Sequence, residues 1–151
     1  KLLVDYPQSD EELQILKRMG KIEKDFQQNA VANPKQILSA RKLIDKIHIA
    51  DNIQKYIVSL VLATRKPSDY SLNDLSDFIN LGASPRATIF LATASKAHAF
   101  LNRRGYVIPE DVRAVGKAIM RHRIILTYEA EAEEITTKHI IQRIYESVPM
   151  P

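Results

Sequence analysis

From Asn33 onward the chain repeats one signal, apolar residues spaced three and four apart, and this periodicity restricts the possible folds more than anything else in the sequence. It is clearest between Asn52 and Arg65, where Ile53, Tyr56, Ile57, Leu60, Val61 and Thr64 fall on one face of a helix. The stripe returns as Ile37, Ala40, Ile44 and Ile47, and as Ala87, Phe90, Leu91, Ala94, Ala97 and Leu101. It returns again as Val112, Val115, Gly116, Ile119 and Met120, and last as Ile140, Ile141, Ile144, Tyr145 and Val148. Burying each large side chain contributes about 1.5–3 kcal/mol before chain entropy is subtracted. A helix with one apolar stripe has to bury it on a neighbour, and alternating strand patterns are nearly absent. The sequence therefore predicts an all-α helical bundle over residues 34–151.

Local punctuation divides the bundle. Ser9 with Glu12 reads as a capping box before Leu13, Leu16 and Met19, with Gly20 as the stop. Ahead of it Leu2-Leu3-Val4 reads as a strand-like scrap, and the polar stretch Lys21 to Asn33 reads as a linker. Asn33-Pro34 opens the second helix, Ile47-His48-Ile49 reads as an extended exit, and Asp51 is positioned to cap the third. Lys66 to Leu81 reads as a loop with one short helical turn near Leu75, Phe78 and Ile79. The helix from Pro85 to Asn102 is expected to end on Gly105 as a left-handed residue, and Pro109 starts the next. Arg123 to Leu126 reads as an extended connector and Tyr128 to Glu134 as an acidic surface loop; Thr136 caps the last helix.

Composition closes off several chemistries. The chain has 151 residues, enough for one domain and a modest extra piece, and 45% of them are hydrophobic, enough for a core. There is no cysteine, which excludes disulfides, thiolate metal sites and cysteine nucleophiles and fits a reducing cytoplasm. His48, His98, His122 and His139 form no pair at one-turn spacing, so no metal site is expected. Glu129, Glu131, Glu133 and Glu134 read as a solvated cluster, because nothing nearby would separate their proton affinities. No P-loop is present: Gly116-Lys117 comes closest, but Asp111 stands where the first glycine belongs and Ala118 where the hydroxyl residue belongs. No apolar run approaches a membrane span. The formal charge of +4 comes from Lys and Arg spread among acids, a pattern that argues against a dedicated nucleic-acid surface.

One run asks for an anion. In Gly82-Ala83-Ser84-Pro85-Arg86-Ala87, Ser84 is placed to cap a helix and Pro85 fits its first position, which puts Arg86 second. The helix dipole opposes a cation there by about 0.3–1 kcal/mol. A phosphate reverses the balance, since helix-start N–H groups favour it and each guanidinium hydrogen bond to it is worth about 1.5–3 kcal/mol. A surface ion pair is the competing reading for Arg86.

That run, with Ala94, Ala97, Ala99, the Arg104-Gly105-Tyr106-Val107 turn, Pro109-Glu110-Asp111-Val112 and His122-Arg123, resembles the C-terminal part of MoxR-type AAA+ ATPases. Asp5-Tyr6-Pro7, Glu11, Glu12, Leu16 and Ala63-Thr64-Arg65 extend the resemblance along nearly the whole chain. It implies that residues 1–33 end a nucleotide-binding core and lead through a linker into a helical lid, residues 34–151. It further implies that Arg86 is the lid's sensor 2 residue, catalytic and in contact with ATP phosphate, with Ser84 and Ala83 beside it in the same site. Arg123 and Arg65 match motif positions too, although each also reads as a cation at a helix C-terminus. ATP, with magnesium held elsewhere in the intact protein, is the implied cofactor. The implied partners are the AAA+ core of the same protein, neighbouring subunits of a hexameric ring, and client proteins carrying a von Willebrand factor A domain. In this family a small polar residue usually precedes the proline at 109, and here it is Ile108, so that cap has to come from elsewhere.

The rival reading is a helical nucleic-acid-binding module, drawn from the positive balance and from Lys35, Arg41, Lys42 and Lys46 on the second helix. A purely structural interaction bundle is the third.

Overall fold

The computed structural model describes residues 4–20 and 29–151. Leu2 and Leu3 of the strand-like run and residues 21–28 of the linker lie outside the described residues, while Val4 is exposed and in no strand. Among those described, the order is α1 (Ser9–Met19), α2 (Pro34–Asp45), α3 (Asp51–Ala63), 3₁₀ turns at Pro67–Tyr70 and Asn73–Leu75, β1 (Ile79–Leu81), α4 (Pro85–Leu101), α5 (Pro109–Met120), β2 (Ile125–Leu126), α6 (Tyr128–Ala132) and α7 (Thr137–Ser147). The fold is all-α, with one two-stranded antiparallel ladder that pairs Ile79 with Leu126 and Leu81 with Ile125.

For α3, α5 and α7 the core is where the periodicity placed it. Ile53, Tyr56, Ile57, Leu60 and Val61 of α3 pack with Val112 and Met120 of α5 and with Ile140, Ile141 and Ile144 of α7. The pair α4–α5 forms the most extensive helix contact, and α3 packs against both. The parallel bridge His48 to Tyr106 confirms the extended exit after α2: the His48 N–H donates to Gly105 and the Val107 N–H to His48, each at 3.0 Å. No residue of α1 or α2 is buried; α2 reaches α4 through half-buried Ala40 and Ile44, while Ile37 stays exposed. Among the described residues no helix is long and apolar enough to cross a membrane.

Several caps move from their expected places. In α1 the reciprocal contact falls one residue earlier, with the Gln8 N–H donating to Glu11 at 2.9 Å in place of Ser9 and Glu12. Asn33 behaves as read, accepting from the Gln36 N–H while Gln36 accepts from its own, both at 2.9 Å. Asp51 lies inside the first turn of α3, and Ala50 holds the cap position. At the end of α4 the left-handed residue is Arg103 (φ 57°), not Gly105, whose φ is not positive. The Arg103 N–H returns to Phe100 and that of Arg104 to Ala99, both at 2.9 Å, which completes a Schellman closure without glycine. Thr136 caps α7 through the His139 N–H at 3.2 Å.

Two segments read as loops are ordered differently. The segment 66–81 closes on two 3₁₀ turns and then enters β1, so Ile79 is in a strand. The acidic stretch after Thr127 is helical: Thr127 accepts from the Ala130 N–H, and Glu129 and Glu131 sit in the first turn, where the dipole favours them. The same threonine donates to the Asp77 carbonyl at 2.8 Å and holds that helix to the end of the long loop. Along α4 the buried stripe is Ala87, Leu91, Ser95 and Ala99, while Phe90 and Leu101 face solvent.

Candidate functional site

The site begins where α3 ends. Thr64 is wholly buried; its hydroxyl donates to the Val61 carbonyl at 2.7 Å and accepts the Ala83 N–H at 2.9 Å. Gly82 lies flush on the same residue, since a Cβ there would meet the Thr64 carbonyl oxygen at 2.3 Å. The Ala63-Thr64-Arg65 and Gly82-to-Arg86 segments, 19 residues apart at the bond between Thr64 and Ala83, are thereby joined.

From that joint α4 starts. Ser84 holds the cap position in extended conformation, but its side chain makes no cap hydrogen bond, and Pro85 is the first helical residue. Arg86 follows in the first turn, exposed and without a hydrogen bond or ion pair to any described residue. Pro85 has no N–H to offer beside it, and the Ala87 N–H donates to the Ser84 carbonyl at 2.8 Å, so at this helix start the guanidinium is the principal donor left to an anion. An unpaired guanidinium on such a turn fits an anion, the requirement that phosphate places on the residues of this chain. Ala83 is placed differently: it is buried and its N–H is committed to Thr64, which takes that donor away from any ligand.

The other two arginines meet the segments on either side of Arg86, Arg65 at Gly82 and Arg123 at Phe90. Arg65 is exposed and, with Lys66, Ser68, Asp69, Asn80 and Gly82, lines a polar cleft of about 460 Å³ behind the loop. Arg123 is half-buried and stacks its guanidinium over the Phe90 ring at 5.0 Å, one helical turn beyond Arg86. Its Nε is buried without a hydrogen-bond partner among the described residues, and the cation–π contact ties it to α4. Thr64 and Phe90 are the residues that motif reading passed over in this role. The available signal for Thr64 was a hydroxyl at the end of an otherwise apolar helix face.

Behind the site a buried carboxylate fixes the far end of α4 to α5. Asp111 accepts two bonds from Arg104 (2.7 and 2.5 Å), one from the Ile108 N–H (2.9 Å) and one from His98 Nδ1 (2.7 Å). This supplies the cap that Ile108 lacks. Burial by itself pushes the Asp111 carboxyl up, but the bonds from Arg104, Ile108 and His98 overcome it and hold the group at about 2.

Comparison with known proteins agrees with this architecture. Residues 73–144 match the family model described as AAA lid domain, so the class that fold and sequence define is an AAA lid. The chain is 38% identical over 159 residues to Chaperone MoxR1 of Mycobacterium tuberculosis, an alignment covering all of this chain and 40% of that protein. It is 33% identical over 105 residues to Protein MoxR of Methylorubrum extorquens, covering 66% of this chain and 30% of the relative. A crystal structure of a candidate ATPase from Cytophaga hutchinsonii superposes with a TM-score of 0.90 at 40% identity, over 98% of this chain and 45% of that one. The chain belongs to the MoxR-type AAA+ family and carries its lid domain. It spans less than half the length of each of these three proteins.

Proposed function

We propose that this lid closes over ATP and magnesium held by a P-loop core of the same protein, and that Arg86 is its sensor 2 residue. The observation carrying this reading is the Arg86 side chain itself, exposed, unpaired among the described residues and launched from a helix start that the dipole makes unfavourable for a cation. Bound nucleotide supplies the phosphoanhydride whose terminal phosphate gathers negative charge during hydrolysis. Arg86 offers a fixed fork of N–H donors to that charge, Ser84 leaves a free hydroxyl beside it, and Arg65 and Arg123 add positive potential around the turn. Ala83 acts by shaping the loop.

In this reading residues 1–33 belong to the end of the core and its linker, and residues 34–151 are the lid proper. The intact protein works in the cytoplasm as a ring, hexameric by family likeness, and uses ATP to remodel client proteins, among them ones with a von Willebrand factor A domain. The name of the Mycobacterium tuberculosis relative, a chaperone, supports that use.

Arg86→Ala in the full-length ATPase is the test. Turnover of magnesium-ATP is expected to fall by about 100-fold or more, while the lid's unfolding transition shifts by less than about 0.5 kcal/mol, as for an unpaired surface residue. Undiminished turnover removes Arg86 from the mechanism.

A further inference from the structure

We infer that Thr64 is a positioning residue for Arg86, an inference that rests on the phosphate-contacting reading above. No hydrogen bond or ion pair from a described residue holds the Arg86 side chain, so its place is set by the backbone that launches α4. That backbone is anchored at Ala83, whose N–H donates to Thr64 Oγ1 at 2.9 Å in a site closed to solvent. The hydroxyl's own proton goes to the Val61 carbonyl at 2.7 Å, which orients the oxygen's lone pairs toward Ala83. One buried hydroxyl therefore ties the last turn of α3 to the residue ahead of the α4 cap, three positions before Arg86. The contact has little slack, because Gly82 already rests against Thr64, with its missing Cβ 2.6 Å from the Thr64 carbonyl carbon. Ser84 adds no cap bond of its own, so losing the Thr64 bond frees the first turn of α4 to shift. The cation would then miss its target while the bundle stays folded.

The test uses the full-length ATPase with magnesium-ATP. Thr64→Val preserves the side chain's shape and removes the acceptor; it is expected to slow turnover by about 10- to 100-fold, the cost of a displacement on the ångström scale. Thr64→Ser, which keeps the oxygen, restores it. In an Arg86→Ala background Thr64→Val causes no further loss, because the group it positions is gone. Amide hydrogen exchange without nucleotide gives an independent readout: the Ala83 N–H loses protection in Thr64→Val, with or without Arg86, and keeps it in Thr64→Ser. Thr64→Ala removes the oxygen without adding bulk and carries the same expectations, so misfolding of one variant leaves the test standing. Equal losses in both backgrounds, or parent-like turnover with the Ala83 amide unprotected, overturn the inference. If Arg86→Ala alone leaves turnover unchanged, the underlying reading falls instead.

Discussion

Asp111 shows what one residue contributes when its surroundings are fully committed to it. An unpaired buried carboxylate is costly, and here four donors from Arg104, Ile108 and His98 make ionisation favourable. Because the folded group is depressed from 3.8 to about 2, its contribution is complete above pH about 4 and is lost as the pH falls toward about 2. The shift corresponds to about 2 kcal/mol. Asp111→Asn, which keeps the size but loses the charge, is expected to cost about 3 kcal/mol at neutral pH. The gap between variant and parent should narrow as the pH approaches 2, where the parent carboxyl is half protonated. Urea unfolding of both proteins across that range checks it. Sequence alone exposed Asp111 only as a motif position and as a failed P-loop glycine, because its donors come from three different turns.

At the scale of elements, the seam between α5 and α7 is set by Gly116. A Cβ there would lie 2.1 Å from the Tyr145 hydroxyl and 3.5 Å from Leu91 Cδ2, so the two helices meet closely because a side chain is missing. Arg113, one turn earlier, donates to the Tyr56 hydroxyl at 3.0 Å and to the Tyr145 carbonyl at 2.5 Å, which locks α3, α5 and α7 together. Gly116→Ala gains about 1 kcal/mol of helix propensity, but pushing apart a packed seam costs about 1–3 kcal/mol. Net destabilisation is expected, and Tyr145→Phe in the same protein should recover part of it; a double-mutant cycle of unfolding energies decides. Helix existence and the faces of α3 and α7 were legible from period alone. The face of α4 was not, because its apolar and alanine positions run nearly all round and periodicity selects no side. Space selects it: Ser95 and Ala99 are buried while the larger Phe90 and Leu101 stay outside, even though the Ser95 hydroxyl is left without a partner.

For the molecule as a whole, the core begins after α2 starts. α1 contributes no buried residue, and Leu13, Leu16 and Met19 along it are exposed. The division at residues 33 and 34 that we propose for core and lid therefore makes a direct prediction. A chain starting at Asn33, retaining the Asn33 and Gln36 cap, should unfold with a free energy within about 0.5 kcal/mol of the longer one, the range for changes away from packed sites. A loss of several kcal/mol in guanidinium unfolding would mean that the first 32 residues belong to the same cooperative unit. The whole-molecule view also shows why the site was only half legible. Arg86 was readable because local helix energetics oppose it, whereas the contacts that bring Arg65 to Gly82 and Arg123 to Phe90 join segments far apart in the chain and left no local trace.

The sequence by itself determined that this is a helical bundle, where most of its helices begin, and which arginine lies at odds with its own helix. Each of those follows from interactions within a few turns of chain, whose period and capping chemistry are written in consecutive residues. Only the tertiary structure decided that a buried threonine capping the end of α3 bonds the Ala83 N–H ahead of α4, that Arg103 takes the left-handed position expected of Gly105, and that an acidic stretch becomes a helix held by Thr127. Those outcomes depend on hydrogen bonds and close approaches between residues far apart in the chain, and local spacing carries no record of them.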